Sequence, residues 1–210
     1  TMKDLVILGS GGFAKEVAFL INDINLHKQT YNLLGYIDNI NEYNNTLKLA
    51  GNDDWLIKRN SPLCVAIGIG NPDMLQKLIL KIILNKQLEF PNLIHPKAIG
   101  DWENIRMGKG NIVCAGNIFT TEIEIGSFNI FNLSCTLGHD ARIGSYNVFN
   151  PTVNLSGGIV IGDNNLIGTG AQILQYITLN TGIIVGAGAV VTKNLLETGT
   201  YVGIPAKKLS

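Results

Sequence analysis

IGSFN (125–129), IGSYN (143–147) and IGDNN (161–165) stand eighteen residues apart. A shorter period of six lies inside them. Counted in sixes from Met107, the chain reads Met107, Val113, Phe119, Ile125, Phe131, Leu137, Ile143, Phe149, Leu155, Ile161, Ile167, Ile173, Leu179, Val185 and Val191, all apolar. Six is not a multiple of 3.6, so an α-helix cannot hold these residues on one face. The pattern also runs from 107 to 191 without a hairpin turn, unlike a flat sheet. Three hexads therefore make one triangular coil, stacked on the next at strand spacing, about 4.8 Å. Glycine follows the apolar residue at Gly108, Gly126, Gly138, Gly144, Gly162, Gly168 and Gly186. It suits a corner where φ is unusual or backbones approach closely. Asn111, Asn129, Asn147 and Asn165 share the eighteen-residue spacing. They predict an asparagine ladder at one corner, with left-handed backbone angles at the asparagines and amides bonding upward.

The remainder of the chain narrows the function classes. At 210 residues, there is room for one large domain or two modest ones. Net charge is zero and no Lys/Arg run occurs, so neither nucleic acid nor an anionic membrane is an expected partner. Apolar runs such as LVIL and LIL are too short to span a bilayer. TMKDLVILGSGG lacks the pattern of a signal peptide, and Thr1 before Met2 reads as a cloning remnant. Cys64, Cys114 and Cys135 lie far apart with no CxxC, which points to a reducing cytoplasm and no disulfide framework. Three scattered histidines make no zinc site, so no metal is expected.

The first half has another grammar. Leu5–Leu8 reads as a buried strand, Gly9-Ser10-Gly11-Gly12-Phe13-Ala14 as a loop, and KEVAFLINDI as a helix. Strand, glycine loop and helix N-terminus together cradle phosphate, here through the backbone amides of Ser10, Gly11 and Gly12. A second strand, LLGYID, ends in Asp38, an acid placed to read a ribose or a base edge. A third, LCVAIGIG, leads to Asn71 and Pro72 at the start of the helix PDMLQKLILKIIL. The order is β-α-β-β-α with parallel strands. About ninety residues hold one mononucleotide-binding half, which favours a nucleotide or nucleotide sugar over NAD.

The repeat resembles the left-handed parallel β-helix of hexapeptide-repeat acyltransferases. With LGSGGFAKEV, GYID, LIHPKAIG (93–100), LGHDARIG and GAGAVVTKN…VGIPAKK, nearly the whole chain looks like the sialic acid O-acetyltransferase NeuD family. That family includes PglD-like nucleotide-amino-sugar N-acetyltransferases. The implied architecture is a Rossmann-like α/β half domain (1–92), then an all-β left-handed β-helix with a C-terminal cap (93–210), assembled as a homotrimer. The resemblance implies acetyl-CoA as co-substrate and a nucleotide-linked 4-amino-4,6-dideoxy sugar as acceptor, in bacterial surface glycan synthesis. Where the family's loop commonly reads GGHG, this chain reads GGFA, so Phe13 stands in place of a histidine.

His139 is the candidate general base. His27 sits in a polar stretch and reads as solvated, and His95 precedes a proline and reads as packing or capping. His139 follows Gly138 at a corner, where its side chain projects outward. Acyl transfer from a thioester needs a base near neutral pKa to take the acceptor's proton, and histidine supplies one. The family places an acid next to it, which makes Asp140 the implied partner. Cys135 occupies an inward position and reads as core, which favours direct attack over an acyl-enzyme. The resemblance also places Gly157, Gly168, Thr169, Gly186 and Ala187 along the pantetheine arm, with an oxyanion donor near Gly157. It implies a substrate contact at Asn132, or an extension of the Asn corner set, and CoA phosphates at Lys207 and Lys208. Alternatives are O-acetylation of sialic acid and a β-helix without chemistry. The nucleotide stays open among UDP, dTDP and GDP.

Overall fold

The structure, a computed structural model, describes residues 2–39 and 48–209. Thr1, read as a cloning remnant, lies outside the described residues. The amino-terminal unit runs β1 (Lys3–Leu8), α1 (Gly12–His27), β2 (Tyr31–Ile37), β3 (Leu49–Gly51), α2 (Asp53–Ile57), β4 (Leu63–Ile67), α3 (Pro72–Ile82) and β5 (Leu88–Glu89). Its sheet is parallel throughout, in the order β3-β2-β1-β4-β5. The β-α-β-β-α expectation missed β3, α2 and β5. With three, five and two residues, these elements are too short to show a hydrophobic period. The central strands are apolar because both faces are covered. Leu5 to Leu8 and Leu63 to Ile67 are all buried.

From Leu93 onward the chain winds into a three-sided parallel β-helix. The first face carries the strands ending at Ile94, Val113, Phe131, Phe149, Ile167 and Val185. The second ends at Gly100, Phe119, Leu137, Leu155, Ile173 and Val191, and the third at Met107, Ile125, Ile143, Ile161 and Leu179. The inward residues from Val113 to Val191 are all buried, and Met107 packs partly against them. Phe119, Phe131 and Phe149 form an aromatic spine, with centroids 4.9 and 4.8 Å apart along it. Each such pair adds about 0.5–1.5 kcal/mol beyond area burial. The C-terminal strand Gly199–Val202 continues the first face, and Lys207–Lys208 folds back antiparallel on it.

Three details correct the sequence reading. The asparagines do form a ladder: the amide nitrogen and side chain of Asn129 both donate to Asn111 Oδ1, and those of Asn147 to Asn129 Oδ1. The left-handed angle, however, belongs to the residue before each asparagine: Gly110, Phe128, Tyr146 and Asn164 all have φ between 59° and 70°. The glycines at Gly108, Gly126 and Gly144 answer close approach rather than unusual φ. A Cβ on Gly126 would lie 2.5 Å from the carbonyl oxygen of Gly144 one coil above. Finally, the helix starts a coil earlier than the period suggested. Gly100 pairs with Phe119, nineteen residues on, whereas Met107 pairs with Ile125, eighteen on. One extra residue in the corner 101–104 throws the hexad frame out.

The α/β unit lies along the first face. Leu93, Ile112, Phe128, Ile130 and Val148 share its hydrophobic core. His95, buried, pairs through Nε2 with Asp23 Oδ2 of α1 at 2.9 Å, while its Nδ1 accepts from Lys97 N. It is a packing and capping residue, as read. His27 is exposed. Asn164 Nδ2 donates to Asp73 Oδ1 at 2.5 Å, which pins the start of α3 to the coil that contains Gly157.

Candidate active site

The sheet order decides the first half of the site. β1 is flanked by β2 and β4, so their C-terminal ends open into one crevice at the point where the connections diverge. A cavity of about 290 Å³ lies there, and Ser10, Gly11, Gly12, Phe13, Asp38 and Asn71 all line it. α1 starts at Gly12 with no side-chain cap, whereas Asn52 and Asn71 cap α2 and α3. The first-turn N–H groups of α1 are therefore free of a capping side chain, and they suit an anion. Ser10 Oγ donates to Asp38 Oδ2 at 2.5 Å, and Asn39 N donates to Asp38 Oδ1 at 2.8 Å. These bonds hold the carboxylate still at the end of β2. Asn71 lines the cavity, but its Oδ1 accepts from Met74 N, so its carbonyl serves the helix. The buried Asp53 also lines the cavity, which the sequence reading missed because α2 showed no period.

The second half stands on the corner between the second and third faces. His139 is exposed there, and its Nδ1 lies 2.7 Å from Asp140 Oδ2. Ionised carboxylate only accepts, so Nδ1 carries the proton and Nε2 offers its lone pair. Adjacent residues on a strand would point apart, but Asp140 has φ +58°, and this turn brings the two side chains together. One coil above, Gly157 leaves space for the ring: a Cβ there would sit 2.5 Å from His139 Nε2. Gly157→Ala is expected to push the ring aside and lower turnover about a hundredfold, the scale of a 1 Å misplacement. Thermal stability should hold, because the crowded atoms belong to a movable side chain. Unchanged turnover in that variant would separate the ring's position from the chemistry.

The five predicted cofactor residues fall on two corners. Gly157 lies above His139, while Gly168, Thr169, Gly186 and Ala187 lie between the first and second faces. A Cβ on Gly168 would be 2.5 Å from Ala187 N, so the backbones of successive coils touch there. Asn132 is seven residues before His139, yet it shares the corner of Gly168 and lies outside the asparagine ladder. It is mostly buried, and its Oδ1 accepts from Leu133 N.

The corner between the third and first faces differs from the other two. There Lys109 N donates to Ser127 Oγ, Ser127 N to Ser145 Oγ, Ser145 N to Asp163 Oδ1 and Asp163 N to Thr181 Oγ1. At the equivalent place on the other corners, the N–H groups of Gly157, Thr169 and Ala187 donate no bond among the described residues. They remain available to an amide or thioester oxygen. Burial pushes the Cys114 thiol up to about 12 and the Cys135 thiol to about 11, so neither is a nucleophile near neutral pH. Lys208 pairs with Glu197 at 3.0 Å, and Lys207 is exposed beside it. A larger groove of about 530 Å³ on the third face holds none of the predicted site residues.

Residues 4–82 match the family described as the PglD N-terminal domain. Solved structures resemble the whole chain. The acetyltransferase domain of PglB from Neisseria gonorrhoeae, in complex with acetyl coenzyme A, is 26% identical with a TM-score of 0.90, covering 100% of both chains. A histidine-to-asparagine mutant of perosamine N-acetyltransferase from Caulobacter crescentus, with CoA and GDP-perosamine, is 27% identical with a TM-score of 0.86, covering 100% of this chain and 98% of that one. WeeI from Acinetobacter baumannii is 29% identical with a TM-score of 0.84, covering 100% of both. No curated protein matches the chain. The match ends with the last residue of α3, and the residues that line the cavity between β1, β2 and β4 all lie within it. Among the described residues no group of side chains could hold a metal, and no helix is long and apolar enough to cross a membrane.

Proposed function

We propose that the protein is an acetyl-CoA-dependent N-acetyltransferase acting on a nucleotide-linked amino sugar. The observation that carries the reading is the His139–Asp140 pair, with Nε2 over the bare backbone of Gly157. The acceptor's nucleotide occupies the cavity of the amino-terminal unit. Its phosphates face the start of α1, and Asp38 meets the ribose or base. The acceptor nitrogen attacks the thioester carbonyl carbon and His139 Nε2 takes its proton. The carbonyl oxygen, negative in the tetrahedral intermediate, accepts from the N–H of Gly157. As the C–S bond breaks, imidazolium returns the proton to sulfur. The products are the acetamido sugar and CoA. Asp140 stabilises the imidazolium between these steps.

The proposed assembly is a homotrimer of parallel prisms. Within one chain His139 and the Gly168–Gly186 column lie on opposite edges of the second face, so no groove joins them. A neighbouring prism would supply the second wall, with its Gly168, Thr169, Gly186 and Ala187 facing His139 across the cleft. A solution mass three times the chain's 22.7 kDa is the expected value.

The test is release of CoA thiol from acetyl-CoA with UDP-, dTDP- or GDP-linked 4-amino-4,6-dideoxyhexoses as acceptors. Release that depends on one of these sugars, with an N-acetyl product by mass, supports the reading. Release with sialic acid alone would replace it by O-acetylation. Absence of release with every acceptor would leave a β-helix without this chemistry.

A further inference from the structure

The position three residues after each inward residue of the β-helix is left-handed throughout the regular coils. It is filled mostly by glycine and by short or polar residues such as Ser134, Asp140, Thr152 and Asn164. Three aromatic residues break this pattern: Phe128, Tyr146 and Tyr176, with φ of 60°, 61° and 60°. Bulky side chains are unfavourable in that conformation. Phe128 and Tyr146 are explained by packing. They stack on each other at 5.5 Å, and Phe90 meets Phe128 edge-on at 5.3 Å beneath the α/β unit. Tyr176 has no such explanation. It is 73% exposed and makes no ring contact among the described residues.

Its location supplies one. The backbone ladder on this corner runs from His139 O, which accepts from Gly158 N, to Gly157 O, which accepts from Tyr176 N. The three rungs are consecutive. A Cβ on Gly157 would lie 2.5 Å from His139 Nε2, and one on Gly158 would lie 2.5 Å from Tyr176 Cε1. The histidine ring therefore comes up from the coil below, and the tyrosine ring comes down from the coil above, onto two adjacent glycines. Two rungs separate the backbones that carry the rings, roughly 10 Å. A base and an aromatic ring therefore stand over neighbouring glycines on one corner.

We propose that Tyr176 is the platform on which the acceptor's amino sugar lies while its nitrogen meets His139. The inference rests on the N-acetyltransferase reading above. A pyranose has a C–H face that packs on an aromatic ring. The pantetheine arm is different: its amide oxygens need donors, and the N–H groups of Gly157, Thr169 and Ala187 supply them. That leaves the ring to the sugar.

The experiment compares Tyr176→Ala and Tyr176→Phe with the wild type. Steady-state kinetics with both substrates varied are combined with acetyl-CoA binding by calorimetry and solution mass by light scattering. Tyr176→Ala is expected to raise KM for the amino sugar about tenfold, matching the loss of one stacked aromatic contact. Acetyl-CoA affinity and solution mass should stay unchanged, and Tyr176→Phe should behave like the wild type. Weaker acetyl-CoA binding in Tyr176→Ala would overturn the platform and make the ring a wall for the donor. A lower solution mass would overturn it in favour of a contact between prisms. Wild-type release left unchanged by Tyr176→Ala would remove the platform alone. No sugar-dependent release by the wild type would remove the activity and the platform together.

Discussion

His139→Ala is expected to lower kcat for sugar-dependent CoA release by about 10²–10⁴-fold, the usual range for loss of a general base. Acetyl-CoA should still bind, because its proposed contacts are backbone groups on Gly157, Thr169 and Ala187. The fold should be unaffected, since His139 is exposed and its own bond is to its exposed neighbour Asp140. The geometry explains why neither the cysteines nor the other two histidines can substitute. The three cysteines are buried. His95 is paired with Asp23 beneath α1, and His27 is exposed at the far end of that helix. Asp140→Asn tests the same pair more finely. An amide nitrogen at that position can donate to Nδ1 and favour the wrong tautomer, so kcat falls while the ring remains. Release that survives His139→Ala would place the base elsewhere and undo the proposed mechanism.

The second large effect concerns folding. Asn129→Ala is expected to lower the free energy of unfolding by about 4 kcal/mol, because stranding a buried polar group costs about 1–3 kcal/mol. Asn129 is fully buried. Its Oδ1 accepts from both the backbone and the side chain of Asn147, and its Nδ2 donates to Asn111 Oδ1 and to Gly144 O at 2.9 Å. Truncation strands the buried Asn147 N–H and the part-buried Gly144 carbonyl, and it removes one bond from each neighbouring amide. In a chain of this size the melting temperature should fall by roughly 8–16 °C. Urea denaturation measures the loss directly. Asn180→Ala is the control, because Asn180 bonds Leu196 O at an exposed corner and should change little. A loss below about 1 kcal/mol in Asn129→Ala would mean that water takes over the rung.

Much of this molecule was legible from one period. Inward residues recur every six positions because each side of a coil uses six residues, a local property of the chain that spacing alone reveals. His139 was legible for the same reason, since a residue two places past an inward leucine must lie on a corner. The glycine loop before α1, and Asp38 at the end of a strand, were legible as local grammar. Other features were not. Left-handed φ falls on Phe128, Asp140, Tyr146 and Tyr176 alike, because the coil imposes it and the residue type does not signal it. The extra residue at 101–104 hid the first coil, because a single insertion destroys a periodic frame but not a hydrogen-bonded one. The contacts between Ser10 and Asp38, between Asp73 and Asn164, and between Asp23 and His95 join residues 28, 91 and 72 positions apart. No period links them. Sheet order and the docking of α1 and α3 on the β-helix bring them together. The amino-acid sequence by itself determined what repeats, because a repeat is written in local spacing. Tertiary structure alone decided which unique residues meet, because that depends on how unlike segments pack.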